Sequence, residues 1–222
     1  MRKKILFLLS AVLVTATVLM DFLLIPSKTG STAMQYNPIF YLHIPIAWVS
    51  LGGFLVVFVA SIAYLRTRRI FWDMVGSTAA ELGLLFATLF LLTGSIWGKA
   101  EWGIWWTWEA RLTSSFVLWI IYVGYFLLRA YVTESGQKAR YAAVVGILGF
   151  ANIPIVISTL FVSRRQHPGG VAFELSDPAM IVTLVTGVVA FSLFFVALML
   201  FRLRLKEDEW EVAKLKELKG EE

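Results

Sequence analysis

The chain holds two histidines, His43 and His167, and no cysteine among its 222 residues. Thiolate catalysis, disulfide frameworks, zinc ribbons, iron–sulfur ligation and covalent attachment at a Cys-x-x-Cys pair are thereby excluded. Any metal chemistry must run on two imidazoles and carboxylates. His43 lies in Tyr41-Leu42-His43-Ile44-Pro45-Ile46-Ala47-Trp48, at the expected first turn of an apolar helix, where partial positive charge on the amides disfavours imidazolium. Neutral imidazole is the form that ligates metal. His167 falls in Ser163-Arg164-Arg165-Gln166-His167-Pro168-Gly169-Gly170, whose proline and glycines stop a helix and permit a tight turn.

A second concentration is aromatic. Trp97, Trp102, Trp105, Trp106 and Trp108, five of the nine tryptophans, fall in one string, Trp97-Gly98-Lys99-Ala100-Glu101-Trp102-Gly103-Ile104-Trp105-Trp106-Thr107-Trp108-Glu109-Ala110-Arg111-Leu112-Thr113. Trp102, Trp105, Trp106 and Glu109 follow i, i+3, i+4, i+7, which predicts one helical face and an aromatic shelf. Tryptophan also favours the headgroup level of any membrane protein. Such a belt spreads over many helix ends, whereas only Trp48, Trp72, Trp119 and Trp210 lie elsewhere. The two readings, belt and platform for a flat ligand, are not exclusive.

The elements that position these residues follow from composition. With 59% hydrophobic and 16% charged residues and a mean hydropathy of +0.75, the chain has too little polar surface for a soluble domain. Six apolar stretches, Ile5 to Ile25, Tyr41 to Leu65, Ala79 to Trp97, Leu112 to Tyr131, Tyr141 to Val162 and Ala179 to Phe201, are each long enough to cross ~30 Å of hydrocarbon as a helix. The expected fold is all-α and polytopic, with six transmembrane helices. Arg2, Lys3 and Lys4 begin the first stretch as they would a signal peptide, but its apolar run is long and no small-x-small cleavage site precedes Pro26, so a retained helix is expected. Asn152-Ile153-Pro154 should kink the fifth span.

Fifteen of the 20 Lys and Arg fall on the side of the two termini and five on the other. The positive-inside rule therefore predicts cytoplasmic termini and a periplasmic tryptophan-rich segment between helices 3 and 4. No internal repeat or linker divides the membrane part, which is expected at residues 1–204. A charged tail is expected at 205–222. From Arg202 to Glu222 six basic and seven acidic residues alternate, which suits a solvated helix or a docking segment.

Both histidines and the tryptophan cluster thus occupy three outer segments that a six-helix bundle can bring together. Two imidazoles can approach a metallo-ring from opposite faces. Porphyrin iron fits this inventory: it accepts histidine axial ligands, offers indoles a wide apolar plane, and carries two propionates that want cations such as Arg111, Arg164, Arg165 or Lys99. A bare zinc or copper ion would leave the tryptophans without a role. Taken singly, a histidine near a membrane surface is more often a hydrogen-bonded interface residue, and outer arginines often bind lipid phosphate or pair with carboxylates such as Glu101 and Glu109.

Other classes fit less well. Asp21 and Glu81, the carboxylates nearest to lipid, stand near span ends, where they can snorkel or meet a cation rather than form a proton path. A solute transporter would more commonly show inverted repeats and interrupted helices. No Gly-x-Ser-Gly, His-Glu-x-x-His or intramembrane aspartate pair supports hydrolysis. A b-type electron-transfer subunit is the better rival; it would place facing histidines inside the bundle, whereas His167 lies in a loop suited to a haem that is picked up and handed on.

The string from Trp97 to Thr113 resembles the tryptophan-rich WWD signature of haem-handling proteins in c-type cytochrome maturation, and Tyr41 to Trp48 resembles the histidine segment preceding it. With six spans at this length, nearly the whole chain is similar to the haem exporter C (CcmC) family; the larger WWD relatives, CcmF and CcsA, have more spans and histidines. The resemblance implies that His43 and His167 are axial ligands of haem b, flanking Trp102, Trp105, Trp106 and Trp108 on the periplasmic face of a bacterial or archaeal inner membrane. It also implies delivery of haem to the chaperone CcmE, alongside the ABC-type subunits CcmA and CcmB and the small CcmD, by a carrier that is not an enzyme. Glu109 departs from the family's usual aspartate in Trp-x-Trp-Asp-x-Arg. Its carboxylate reaches one methylene further toward Arg111 or the loop backbone.

Overall fold

The computed structural model describes residues 2–25, 37–162, 175 and 177–219. Its regular structure there is helical throughout: α1 (Arg2–Leu24), α2 (Pro38–Thr67), α3 (Ile70–Trp102), α4 (Ala110–Tyr131), α5 (Ser135–Ala151), α6 (Ile153–Val162) and α7 (Pro178–Lys219). Six helical segments are long and apolar enough to cross a membrane, with α5 and α6 counting as one over 135–159. The central helix is α2, which packs along α3 and also meets α5 and α7; α1 lies on α7, and α4 on α5 and α6.

Lipid tails are as apolar as leucine, so helices in a bilayer are held by close fit, and small residues set the closest approaches. A methyl added at Gly53 would stand 3.1 Å from the Cα of Gly83, and one at Gly146 would stand 2.7 Å from the Ser61 hydroxyl oxygen. Between these crossings Phe54 stacks on Tyr122 with centroids 3.8 Å apart. Asn152 caps α5 and breaks the fifth span where the kink was expected; its side-chain amide donates to the Ser114 carbonyl at 2.8 Å and ties the break to α4.

The starts of α2 and α3 bear on the site and differ from expectation. Asn37 caps α2 by accepting the Ile39 amide at 3.1 Å, and Pro38 occupies the first position, where its missing N–H costs nothing. That places His43 in the second turn rather than the first. The third helix begins at Ile70, well before Ala79, because its polar first turns are paired: Arg129 donates to both Asp73 oxygens at 2.6 and 2.9 Å. Glu81 accepts from Arg202 at 3.0 and 3.1 Å and lies 3.4 Å from the Lys206 ammonium, the neighbouring-cation outcome expected for it. Asp21 behaves otherwise. It is 1% exposed, and its Oδ1 has no hydrogen-bond partner among the described residues, so it neither snorkels nor meets a cation there. At the far end of the sequence α7 runs unbroken for 42 residues, through Leu205 to Lys219.

Candidate functional site

His43 is 9% exposed and lodges against one face of α3. Phe90, Thr93, Gly94 and Trp97 recur at i, i+3, i+4 and i+7, so they form a single stripe on that helix. The imidazole stacks on Phe90 with centroids 4.7 Å apart and leans on Trp97 at 5.5 Å. Its Nδ1 is 3.0 Å from the Thr93 hydroxyl oxygen. A methyl at Gly94 would stand 3.0 Å from the imidazole Cε1, so a larger residue there would push the ring outward. The stripe was not singled out from the sequence; its signal is Phe90-x-x-Thr93-Gly94-x-x-Trp97 on the helix that faces a buried histidine.

Trp97 continues the aromatic wall to Phe40 at 5.8 Å and to Trp102 at 6.0 Å. There α3 ends. Gly103 takes φ 72°, the left-handed region that closes a helix, and its amide donates to the Lys99 carbonyl at 3.1 Å. The Lys99 ammonium returns to the Gly103 carbonyl at 2.9 Å and lies 6.0 Å from the Trp105 ring centre. Residues 104–109 are not helical. The single helical face expected for Trp102, Trp105, Trp106 and Glu109 is therefore absent, because a left-handed glycine cap intervenes.

Two aromatic groups replace that shelf. One joins His43 to Phe90, Trp97 and Trp102. The other runs from Trp108 and Trp106 onto Phe116, at 6.3 and 5.9 Å, and on to Trp119, which stacks on Phe116 at 5.9 Å. Trp119 is fixed in turn by donating to the Thr88 hydroxyl at 2.9 Å. Trp105 and Trp108 remain largely open, 58% and 73% exposed.

Glu109 precedes the first turn of α4, where a carboxylate suits the helix N-terminus, and it attracts the Arg111 guanidinium. Arg111 turns inward and reaches the Thr159 carbonyl of α6 at 3.5 Å. Along residues 106–115 the indole nitrogen of Trp106, the hydroxyls of Thr107, Thr113 and Ser115, and the Nε of Arg111 are buried without a hydrogen-bond partner among the described residues. Each can donate. Leaving a buried donor unmade costs about 1–3 kcal/mol, so each of these groups would be stabilised by an acceptor. His167, Arg164 and Arg165 lie outside the described residues, as does any approach of His167 to His43. Among the described residues no three His, Asp or Glu side chains gather as a metal centre.

A family model described as heme exporter protein C matches residues 2–217. The chain belongs to the heme exporter protein C family. The heme exporter protein C of Bradyrhizobium diazoefficiens is 34% identical over 170 residues, which cover 75% of this chain and 65% of the relative. The chain thus spans just under two thirds of that relative's length. For the Escherichia coli K12 heme exporter protein C the figures are 34% over 167 residues, 75% and 68%. A Marchantia polymorpha protein described as a putative cytochrome c biosynthesis ccmC-like mitochondrial protein is 36% identical over 118 residues, covering 53% of this chain and 49% of its own. Heme exporter C proteins are haem-handling membrane proteins of cytochrome c biogenesis and not enzymes. Membership and the six apolar helical segments together make this chain a multi-pass inner-membrane protein.

Proposed function

We propose that the chain binds haem b beside the α3–α4 connection, on the periplasmic face, and delivers it to a CcmE-type chaperone, with CcmA and CcmB ABC-type subunits and small CcmD as its further partners. One observation carries this reading. A histidine seated on an α3 stripe adjoins a tryptophan-rich connection that, with the first turns of α4, carries buried indole, hydroxyl and Arg111 Nε donors without acceptors among the described residues. Haem offers what those groups need: an iron for imidazole nitrogen, a wide apolar plane for the indoles, and two carboxylates for the donors.

In this reading His43 and His167 supply the axial nitrogens, and Trp102, Trp105, Trp106 and Trp108 border the porphyrin plane. Arg111, Arg164 and Arg165 neutralise propionates, and Glu109 holds Arg111 in place. Residues 1–204 carry the site; residues 205–222 form a cytoplasmic segment for a partner. The excess of basic residues on the side of the termini supports that orientation. No bond of the cargo is broken. Hand-over needs only the exchange of one histidine nitrogen for a ligand of the chaperone, on the side left open by Trp105 and Trp108.

Visible spectra of the protein purified with haem supplied test the ligands. A six-coordinate low-spin spectrum that is lost in both His43→Ala and His167→Ala is expected, and unchanged spectra remove these residues from the site. Co-purified chaperone should acquire haem only when both histidines are intact. Haem that cycles between oxidation states and never leaves would assign the chain to electron transfer instead.

A further inference from the structure

Thr93 contributes one hydroxyl proton, and two backbone carbonyls stand ready to take it: Leu89 at 2.8 Å and Phe90 at 3.2 Å. Such bonding back to the preceding turn is the usual disposition of a threonine inside a helix. With its proton so used, the Thr93 oxygen faces His43 Nδ1 at 3.0 Å as an acceptor. Nδ1 must then carry the imidazole proton, and the remaining lone pair lies on Nε2. Phe90 stacks on the ring, Trp97 leans against it and Gly94 lies beside its Cε1 edge, so these three neighbours add no second hydroxyl that competes with Thr93 for Nδ1.

We infer that Thr93 is a positioning residue that fixes His43 in the Nδ1–H tautomer, making Nε2 the nitrogen it presents to haem iron. The inference rests on the axial-ligand reading above for its purpose, but not for its geometry. A histidine whose second nitrogen donates a hydrogen bond is a more basic and better-oriented ligand, and loss of such a partner typically lowers metal affinity 10–100-fold. The threonine acts through the histidine and touches no substrate. It also explains why this stripe places a hydroxyl, rather than a third aromatic or aliphatic group, directly beside the ring.

With only two histidines in the chain, selective 15N-histidine labelling of the full-length protein in detergent, on a His167→Ala background, leaves a single imidazole to observe. Without haem, the wild-type Thr93 protein should show protonated Nδ1 and unprotonated Nε2. Thr93→Val should move the ring toward the Nε2–H form that free histidine favours, and Thr93→Ser should restore the Nδ1–H form. In protein with His167 intact and haem supplied, Thr93→Val should weaken haem retention by at least about 10-fold and raise the haem midpoint potential, while Thr93→Ser keeps both near wild type. An Nε2–H ring in the Thr93 protein overturns the inference without recourse to any variant, as does a tautomer indifferent to Thr93→Val. The axial-ligand reading fails separately, when His43→Ala leaves the haem spectrum intact whichever tautomer is found.

Discussion

Arg129 clasps Asp73 through two parallel N–H···O bonds of 2.6 and 2.9 Å, joining the last turn of α4 to the first turn of α3. Both side chains are mostly buried, 19% and 12% exposed. Removing one partner strands the other charge: Arg129→Met or Asp73→Leu should each cost about 3–5 kcal/mol, read as a lowered Tm in detergent. The double variant should recover most of the loss, because no charge is then left alone. A double variant as unstable as the sum of the two single ones would show that the pair is not the source.

The tryptophans should separate into two kinds. Trp105 and Trp108 are 58% and 73% exposed, whereas Trp97 is 4% exposed and wedged between Phe40, His43 and Trp102. Trp105→Ala and Trp108→Ala should leave Tm within a degree or so, since exposed changes are worth about 0.5 kcal/mol or less. Each should nevertheless weaken haem binding roughly 2- to 10-fold, the worth of one aromatic contact. Trp97→Ala should lower Tm first, by about 3–5 kcal/mol of stability. Haem titration and thermal unfolding of the same three preparations distinguish these outcomes.

Gly103 turns the chain out of α3 at φ 72°. A side chain there is strained by about 1–2 kcal/mol, so Gly103→Ala should lower both Tm and haem retention, and Gly103→Asn, which tolerates the left-handed region better, should lower them less. A helix that simply lengthened through residue 105 would appear as added helicity by circular dichroism and would contradict this account of the cap.

Glycines inside the helices should differ by what faces them. Gly146→Leu forces carbon to within 2.7 Å of the Ser61 oxygen and 2.9 Å of Val57, an overpacking worth about 1–3 kcal/mol. Gly52 and Gly124 meet nothing within 4 Å. Their alanine variants should be neutral or stabilising by up to about 1 kcal/mol, and equal losses at all three sites would refute the close α2–α5 crossing.

The apolar spans and the break at Asn152 were legible because each is local: hydropathy over twenty residues, and a proline following an asparagine. The start of α3 was not, since Asp73 lowers local hydropathy while the arginine that neutralises it lies 56 residues away. Periodicity marked Trp102, Trp105, Trp106 and Glu109 as one face but could not see that Gly103 would adopt positive φ. His43 was recognisable as a ligand type. Its seat on Phe90, Thr93, Gly94 and Trp97 depends on how α2 and α3 align along one another, which no single stretch of sequence states.

The 42 residues of α7 make a rod about 63 Å long at 1.5 Å per residue. Near its start Met180 and Leu184 pack into the cluster that holds Phe40 and Trp97, and beyond Arg202 the same rod bears the exposed Trp210, Val212, Leu215 and Leu218. No break separates the two ends, and Arg202 and Lys206 anchor the middle of the rod to Glu81 of α3. One continuous helix thus carries both the wall behind His43 and an apolar stripe at its distal end.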